Sequence, residues 1–234
     1  MYYSLLCIFS LKKYFSEKKH TLQNKLFFPI IFIALPVHAH TFTGMIGFYD
    51  GLSHPVLGMD HFLAMVSVGI VSAQIGGRAI WNVPAMFVTF MIIGGVLGIG
   101  AEYNKGFGDQ AINLNQAGTL NYFADYVYMI IELGIILSVI LLGAAIAVEK
   151  KLSVSITMIF VSLFGLCHGA AHGLEMPWAA NPILFASGFV SGTTTLHLFG
   201  VGIGNFAIKT TISSLLLRCI GVGCVVYGSY LLIF

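Results

Sequence analysis

Charge is what this sequence has least of. Asp, Glu, Lys and Arg make up 9% of its 234 residues, whereas 58% are hydrophobic. A water-exposed globular domain carries about a quarter charged residues, so an ordinary soluble fold is excluded and an integral membrane protein is indicated. Cysteine is sparse as well. Cys7, Cys167, Cys219 and Cys224 fit neither a zinc ribbon nor a C-x-x-C pair, which excludes a disulfide framework. No G-x-x-x-x-G-K-[ST] loop occurs, so the chain does not itself couple to nucleotide hydrolysis. Basic runs are missing after residue 40, where six Lys and Arg face eight Asp and Glu, and nothing resembles a nucleic-acid surface.

What remains is apolar sequence in long runs. Stretches sufficient for spans of about 20 residues recur at Leu52–Ile75, Trp81–Ala101, Tyr126–Val148, Val154–Glu175, Pro182–Ile203 and Ser213–Phe234. They predict an all-α fold, a six-helix transmembrane bundle over residues 40–234.

The segment 1–39 reads differently. Lys12, Lys13, Lys18, Lys19 and Lys25 precede a short apolar core, Leu26 to Leu35, and then Val37-His38-Ala39, a small-residue pattern for signal cleavage. Cleavage after Ala39 leaves His40 first. The long basic region and the apolar cluster Tyr2 to Phe9 leave open a start downstream of Met1, or an uncleaved anchor.

Export of His40 sets the topology. The first, third and fifth connections then face the cytoplasm and carry Arg78, Lys150 with Lys151, and Lys209 with Arg218 just beyond. Five of the six remaining basic residues obey the positive-inside rule. Lys105, among Glu102, Asp109 and Asp125, lies in the second connection, outside. Both ends of the processed chain are expected to be extracytoplasmic.

Two motifs stand out against this apolar background. His168-Gly169-Ala170-Ala171-His172-Gly173-Leu174-Glu175 places three metal-capable side chains in the fourth span. At about 100° per residue, His172 lies about 40° from His168 and Glu175 about 20° from it on the other side, so all three share one face. The second motif, His54-Pro55-Val56-Leu57-Gly58-Met59-Asp60-His61, opens the first span. Ser53 or His54 is expected to begin that helix, with Pro55 in its first turn. On one continuous helix His54 and His61 are about 20° apart in angle and about 10 Å along the axis, with Asp60 about 100° round from His61.

An ionisable group in lipid costs about 2.5–3.5 kcal/mol on insertion scales, so such groups face a partner, a cavity or a path. A structural role is the alternative, with His54 interfacial and Asp60 and His61 hydrogen-bonded to neighbouring helices. Only six histidines follow residue 39, and four of them fall in these two motifs at one predicted membrane face. Imidazole with carboxylate suits nickel, cobalt, copper or zinc. His54, Asp60, His61, His168, His172 and Glu175 are therefore candidate metal ligands.

Three further candidates are more isolated. His40, if it becomes the first residue, offers an α-amine and an imidazole to one ion. Glu132 in the third span and His197 in the fifth either line the path or are satisfied by Ser, Thr or backbone carbonyls nearby, and Thr193, Thr194 and Thr195 stand just before His197. Cys167 adjoins His168 but points about 100° away from it, so apolar packing is its expected role. Gly165, Gly169 and Gly173 recur every four residues, as pairs do at Gly94 and Gly98, Gly188 and Gly192, and Gly200 and Gly204. Such stripes let helices approach closely.

The chain also resembles the HupE/UreJ nickel permeases. The resemblance rests on the exported N-terminus, on His54-x5-Asp60-His61, and on Cys167-His168-Gly169-Ala170-Ala171-His172-Gly173-Leu174-Glu175, with Glu132-Leu133-Gly134 similar to the third helix of that family. The segment before Lys25 fits it less well. The resemblance implies a bacterial cytoplasmic-membrane protein that moves nickel, or cobalt, inward for hydrogenase or urease assembly, with these His, Asp and Glu residues serving passage or recognition. The ion is its substrate, and no cofactor is expected. The chain on that reading is no enzyme. Two other classes stay open: an intramembrane metal-dependent hydrolase built on His168 and His172, and a metal sensor or storage protein without transport. Against the hydrolase, Gly169 stands where H-E-x-x-H places its general base. Oligomeric state and energy coupling are not legible.

Overall fold

A computed structural model describes residues 47–111, 114–149, 152–176, 181–207 and 209–233, with 102–111 and 114–124 described by backbone alone. The expected signal segment, its cleavage site, His40, Lys150 and Lys151 lie outside the described residues. Among the described residues the secondary structure is helical throughout, in seven helices: α1 Phe48–Leu57, α2 Met59–Ile75, α3 Ala79–Ala111, α4 Leu114–Val148, α5 Val154–Leu174, α6 Pro182–Ala207 and α7 Thr211–Ile233.

Five of these contain segments long and apolar enough to cross a membrane: Ala79–Ala101, Asp125–Val148, Val154–Leu174, Pro182–Ala207 and Thr211–Ile233. Helices satisfy their own backbone hydrogen bonds, which is what lipid demands. The expected second connection, Glu102 to Asp125, is corrected: α3 continues to Ala111 and α4 begins at Leu114. Apolarity marks where lipid contact ends, and a helix can run on into water past that point.

The first expected span is corrected too. It is broken at Gly58 into α1 and α2, which meet at an angle of 84° and count as a sixth span only if taken together. Gly47, at φ +135°, donates its amide to Asp50 Oδ2 at 3.0 Å, so the helix starts well before Ser53. Pro55 therefore sits in the last turn of α1, not the first. Gly58 is extended, closes α1 through its amide on the His54 carbonyl at 3.2 Å, and opens α2 by accepting from the Phe62 amide at 2.8 Å. Glycine is a poor helix former, and Pro55 removes one intrahelical donor just upstream.

Elsewhere the termini follow local chemistry. Gly76 and Gly77, at φ +79° and +58°, turn the chain from α2 into α3. Asn181 Oδ1 accepts the amides of Ile183 at 3.0 Å and Leu184 at 3.2 Å, with Pro182 as the first residue of α6.

Glycines set the helix pairs. Gly165, Gly169 and Gly173 of α5 lie against the backbone of Phe87, Met91 and Gly95 in α3, while Gly94 and Gly98 of α3 lie against Leu166 and Ala170 in α5. A Cβ on Gly169 would overlap the Met91 carbonyl. These pairings advance together along both chains, so α3 and α5 run parallel. Gly69 and Gly200 bring α2 and α6 together in the same way, and Gly51 and Gly188 join α1 to α6. The stripes read from sequence are thus contact surfaces between helix backbones. Met65, Val83, Phe87, Met91, Phe164, Phe189 and Leu196 fill the core between these pairs.

Candidate metal centre

The break at Gly58 positions the first motif. On a continuous helix His54 and His61 would stand two turns apart; across the bend their ring centroids are 6.2 Å apart. Each remains on its own helix, His54 in the last turn of α1 and His61 in the first turn of α2. Asp60 and His61 are successive residues of α2, so their backbone positions lie about 100° apart, yet their side chains meet. His61 Nδ1–H donates to Asp60 Oδ1 at 2.8 Å, a bond between sequence neighbours in the first turn of the helix. A Cβ on Gly58 would come within 3.2 Å of His61 Nδ1 and 3.3 Å of Asp60 Oδ1, crowding this pair.

The second motif lies on one face of α5, and that face meets the first. His172 is 4.4 Å from His54 and 4.5 Å from His61 between ring centroids, and His168 is 5.1 Å from His61. Four imidazoles from three helices therefore form one connected group. His61, His168 and His172 are buried, His54 is half-buried and Glu175, the C-cap of α5, is exposed. Ligand atoms of His54, His172 and Glu175 all lie within 4.8 Å of one another. Two ligands on opposite sides of a bound transition ion, at about 2.1 Å each, are about 4.2 Å apart. The three ligand atoms thus lie about as close together as one ion requires.

Protons are assigned by the partners. His168 Nδ1–H donates to the Phe164 carbonyl at 2.8 Å, since a carbonyl only accepts. With Nδ1 protonated in His61 and in His168, Nε2 of each presents a lone pair, and neither Nε2 has a hydrogen-bond partner among the described residues. Neither ring nitrogen of His172 has one either. Buried polar atoms are normally paired, and a metal-ligating histidine commonly gives its other N–H to a carboxylate or backbone carbonyl. His61 and His168 show both halves of that pattern.

Other candidates fall elsewhere. His197 Nδ1–H reaches across to the Met65 carbonyl of α2 at 3.2 Å, not to the adjacent threonines; Thr193 turns to Met91 Sδ at 3.6 Å and Thr195 to the Ser191 carbonyl at 2.8 Å. Glu132 is exposed on α4 and is not in the His54, His172 and Glu175 group. Cys167 packs beside Ile131, Ile135 and Ala171, against Gly134 of α4, and turns away from the imidazoles.

Sequence reasoning missed the aromatic walls. Phe189 lies 4.3 Å from His172, and Phe185 6.3 Å from His54, between ring centroids. A cavity of about 90 Å³ reaches His172 between α3, α5 and α6, with Met91, Gly95, Gly173 and Phe189 among its walls. Nothing local in sequence singles out these phenylalanines among 19. Gly58 was detectable, because a glycine three residues past Pro55 interrupts an otherwise apolar span.

Arg78, Lys209 and Arg218 flank the α2–α3 and α6–α7 connections, at the opposite helix ends from His54, His172 and Glu175. Ser214 Oγ donates to Glu149 Oε1 at 2.6 Å at that same far end.

Comparison with known proteins covers nearly the whole described chain. A family profile described as HupE / UreJ protein matches residues 28–104 and 110–231. Protein HupE of Rhizobium leguminosarum bv. viciae is 36% identical over 175 residues, which is 74% of this chain and 79% of that protein. No solved structure matches.

Proposed function

The chain belongs to the HupE/UreJ family and is an integral membrane protein, and we propose that it is a permease for uptake of divalent transition-metal ions, nickel or cobalt, supplying metalloenzyme assembly. One observation carries this reading: an unbroken run of imidazoles leads from exposed Glu175 and half-buried His54, through His172 and His61, to fully buried His168. A structural metal site closes four ligands around one ion. This run instead offers successive donors, each shared with the next, which suits an ion that must also leave.

The donor set supports the ion class. Imidazole nitrogens outnumber carboxylates here, which favours nickel, cobalt, copper or zinc over magnesium and calcium, whose preferred ligands are oxygens. Asp60 holds the His61 tautomer and supplies a negative charge beside an arriving cation. His54, Asp60, His61, His168, His172 and Glu175 form the path, with His197 and Glu132 as further contributors and His40 as a capture group.

Orientation follows from charge. The ends bearing Arg78, Lys209 and Arg218 are assigned to the cytoplasm, which puts the His54, His172 and Glu175 mouth outside. Counting α1 with α2 as one span gives six spans after a cleaved segment 1–39, in a bacterial cytoplasmic membrane, with both ends of the processed chain outside.

Uptake of nickel, cobalt and zinc in competition by cells carrying the chain tests the proposal. His54→Ala, Asp60→Asn, His168→Ala and His172→Ala are expected to lower nickel uptake at equal membrane abundance. Unchanged uptake in all four would overturn it.

A further inference from the structure

The imidazole run does not end in open space. Below His168 lies Phe87 of α3, fully buried, with its ring centroid 5.3 Å from that of His168 and 5.0 Å from that of His197 on α6. One phenyl ring therefore packs against two histidines that belong to different helices. Both histidines are held alike: Nδ1–H is bound to a backbone carbonyl, Phe164 for His168 and Met65 for His197. In both, Nε2 is buried with no hydrogen-bond partner among the described residues. A lone imidazole satisfied at one nitrogen is an ordinary core residue, but here two fixed donors stand on one aromatic ring.

The surroundings of that ring are dry. Met65, Val83, Met91, Val161 and Phe164 belong with Phe87 to one buried apolar cluster. A hydrated ion cannot enter such a region while the ring is in place, since hydrophobic constrictions gate by excluding water. Its backbone is also pinned, because α5 lies so close that a Cβ on Gly165 would overlap the Phe87 carbonyl. Opening is thereby left to rotation of the side chain.

Resting on the uptake reading, we propose that Phe87 is the gate of the path: its ring separates the outer imidazole run from an inner ion station at His197, and its rotation lets an ion pass from His168 Nε2 to His197 Nε2. The face of the ring also attracts a cation in transit.

Thiol accessibility tests this in the full chain. With Cys7, Cys167, Cys219 and Cys224 replaced by serine, His172→Cys and His197→Cys are compared in membranes exposed to Ag⁺ from the side of His54, and the remaining thiols are counted after denaturation. With native Phe87, Cys at 172 is expected to react about a hundredfold faster than Cys at 197, and Phe87→Val or Phe87→Leu to speed reaction at 197 at least about tenfold while leaving 172 unchanged. Equal rates at 172 and 197 with Phe87 present would overturn the gate, and this comparison needs no Phe87 variant to fold. An unchanged rate at 197 in folded Phe87→Val would overturn it as well. Nickel flux in the parent chain is measured in parallel: flux with equal thiol rates removes the gate and keeps the permease, whereas unequal rates without flux remove the permease and keep the constriction.

Discussion

His61 donates its Nδ1 proton to the carboxylate of Asp60, its neighbour in sequence, at 2.8 Å. The bond fixes the tautomer, so Nε2 is the nitrogen with a lone pair to offer. Partners of this kind typically contribute 10–100-fold to metal affinity or activity. Asp60→Asn keeps the shape, loses the charge, and can present an N–H to the ring in place of an oxygen. Nickel uptake is expected to fall roughly tenfold or more, and Asp60→Glu to recover part of it. Initial uptake rates at matched membrane abundance check this.

His172 touches both His54 and His61, at 4.4 and 4.5 Å between centroids, so its loss interrupts the run at its junction. His172→Ala is expected to depress uptake more than His197→Ala or Glu132→Gln. Cys167→Ser, one residue from His168 but packed against Gly134, is nearly isosteric and is expected to leave uptake within about twofold. Ranking the four variants under one assay decides the order.

Backbone proximity of α3 and α5 gives a stability prediction. Gly169→Val forces a side chain into the Met91 carbonyl, and overpacking of this kind costs about 1–3 kcal/mol or more. A Cβ at Gly100 meets nothing within 4 Å, so Gly100→Ala is expected to be neutral or to gain up to ~1 kcal/mol from helix propensity. Thermal denaturation in detergent separates the two; equal midpoints would contradict the helix contact.

Gly58→Leu acts on the bend itself. The added side chain crowds the Asp60–His61 pair and favours continuing α1 into α2, which carries His54 away from His61. Uptake is expected to fall while the protein stays in the membrane, and a spin-label distance between positions 54 and 61 is expected to lengthen.

Much of this was legible in sequence. Long apolar runs of about 20 residues predicted the helices, because a spanning helix satisfies its own backbone donors and acceptors in lipid, and the four-residue glycine period predicted faces of close helix approach, though not which helices pair. His168, His172 and Glu175 were placed on one face because that face is a property of a single regular helix. Their meeting with His54 and His61 was expected as a path shared across a helix interface, without the particular contacts that form it. The Asp60–His61 bond, the size of the bend at Gly58 and which backbone carbonyl His197 finds were not legible. Each depends on one extended residue or on a neighbouring helix, and helical periodicity carries neither.

Nickel flux into liposomes containing the purified chain, with and without His172→Ala, bears most directly on the imidazole run as a route for ions. The parent protein should accumulate nickel inside the vesicles, with cobalt competing, and His172→Ala should abolish most of that flux while remaining folded. Metal binding by the parent without any flux, or equal flux in the two proteins, would contradict it.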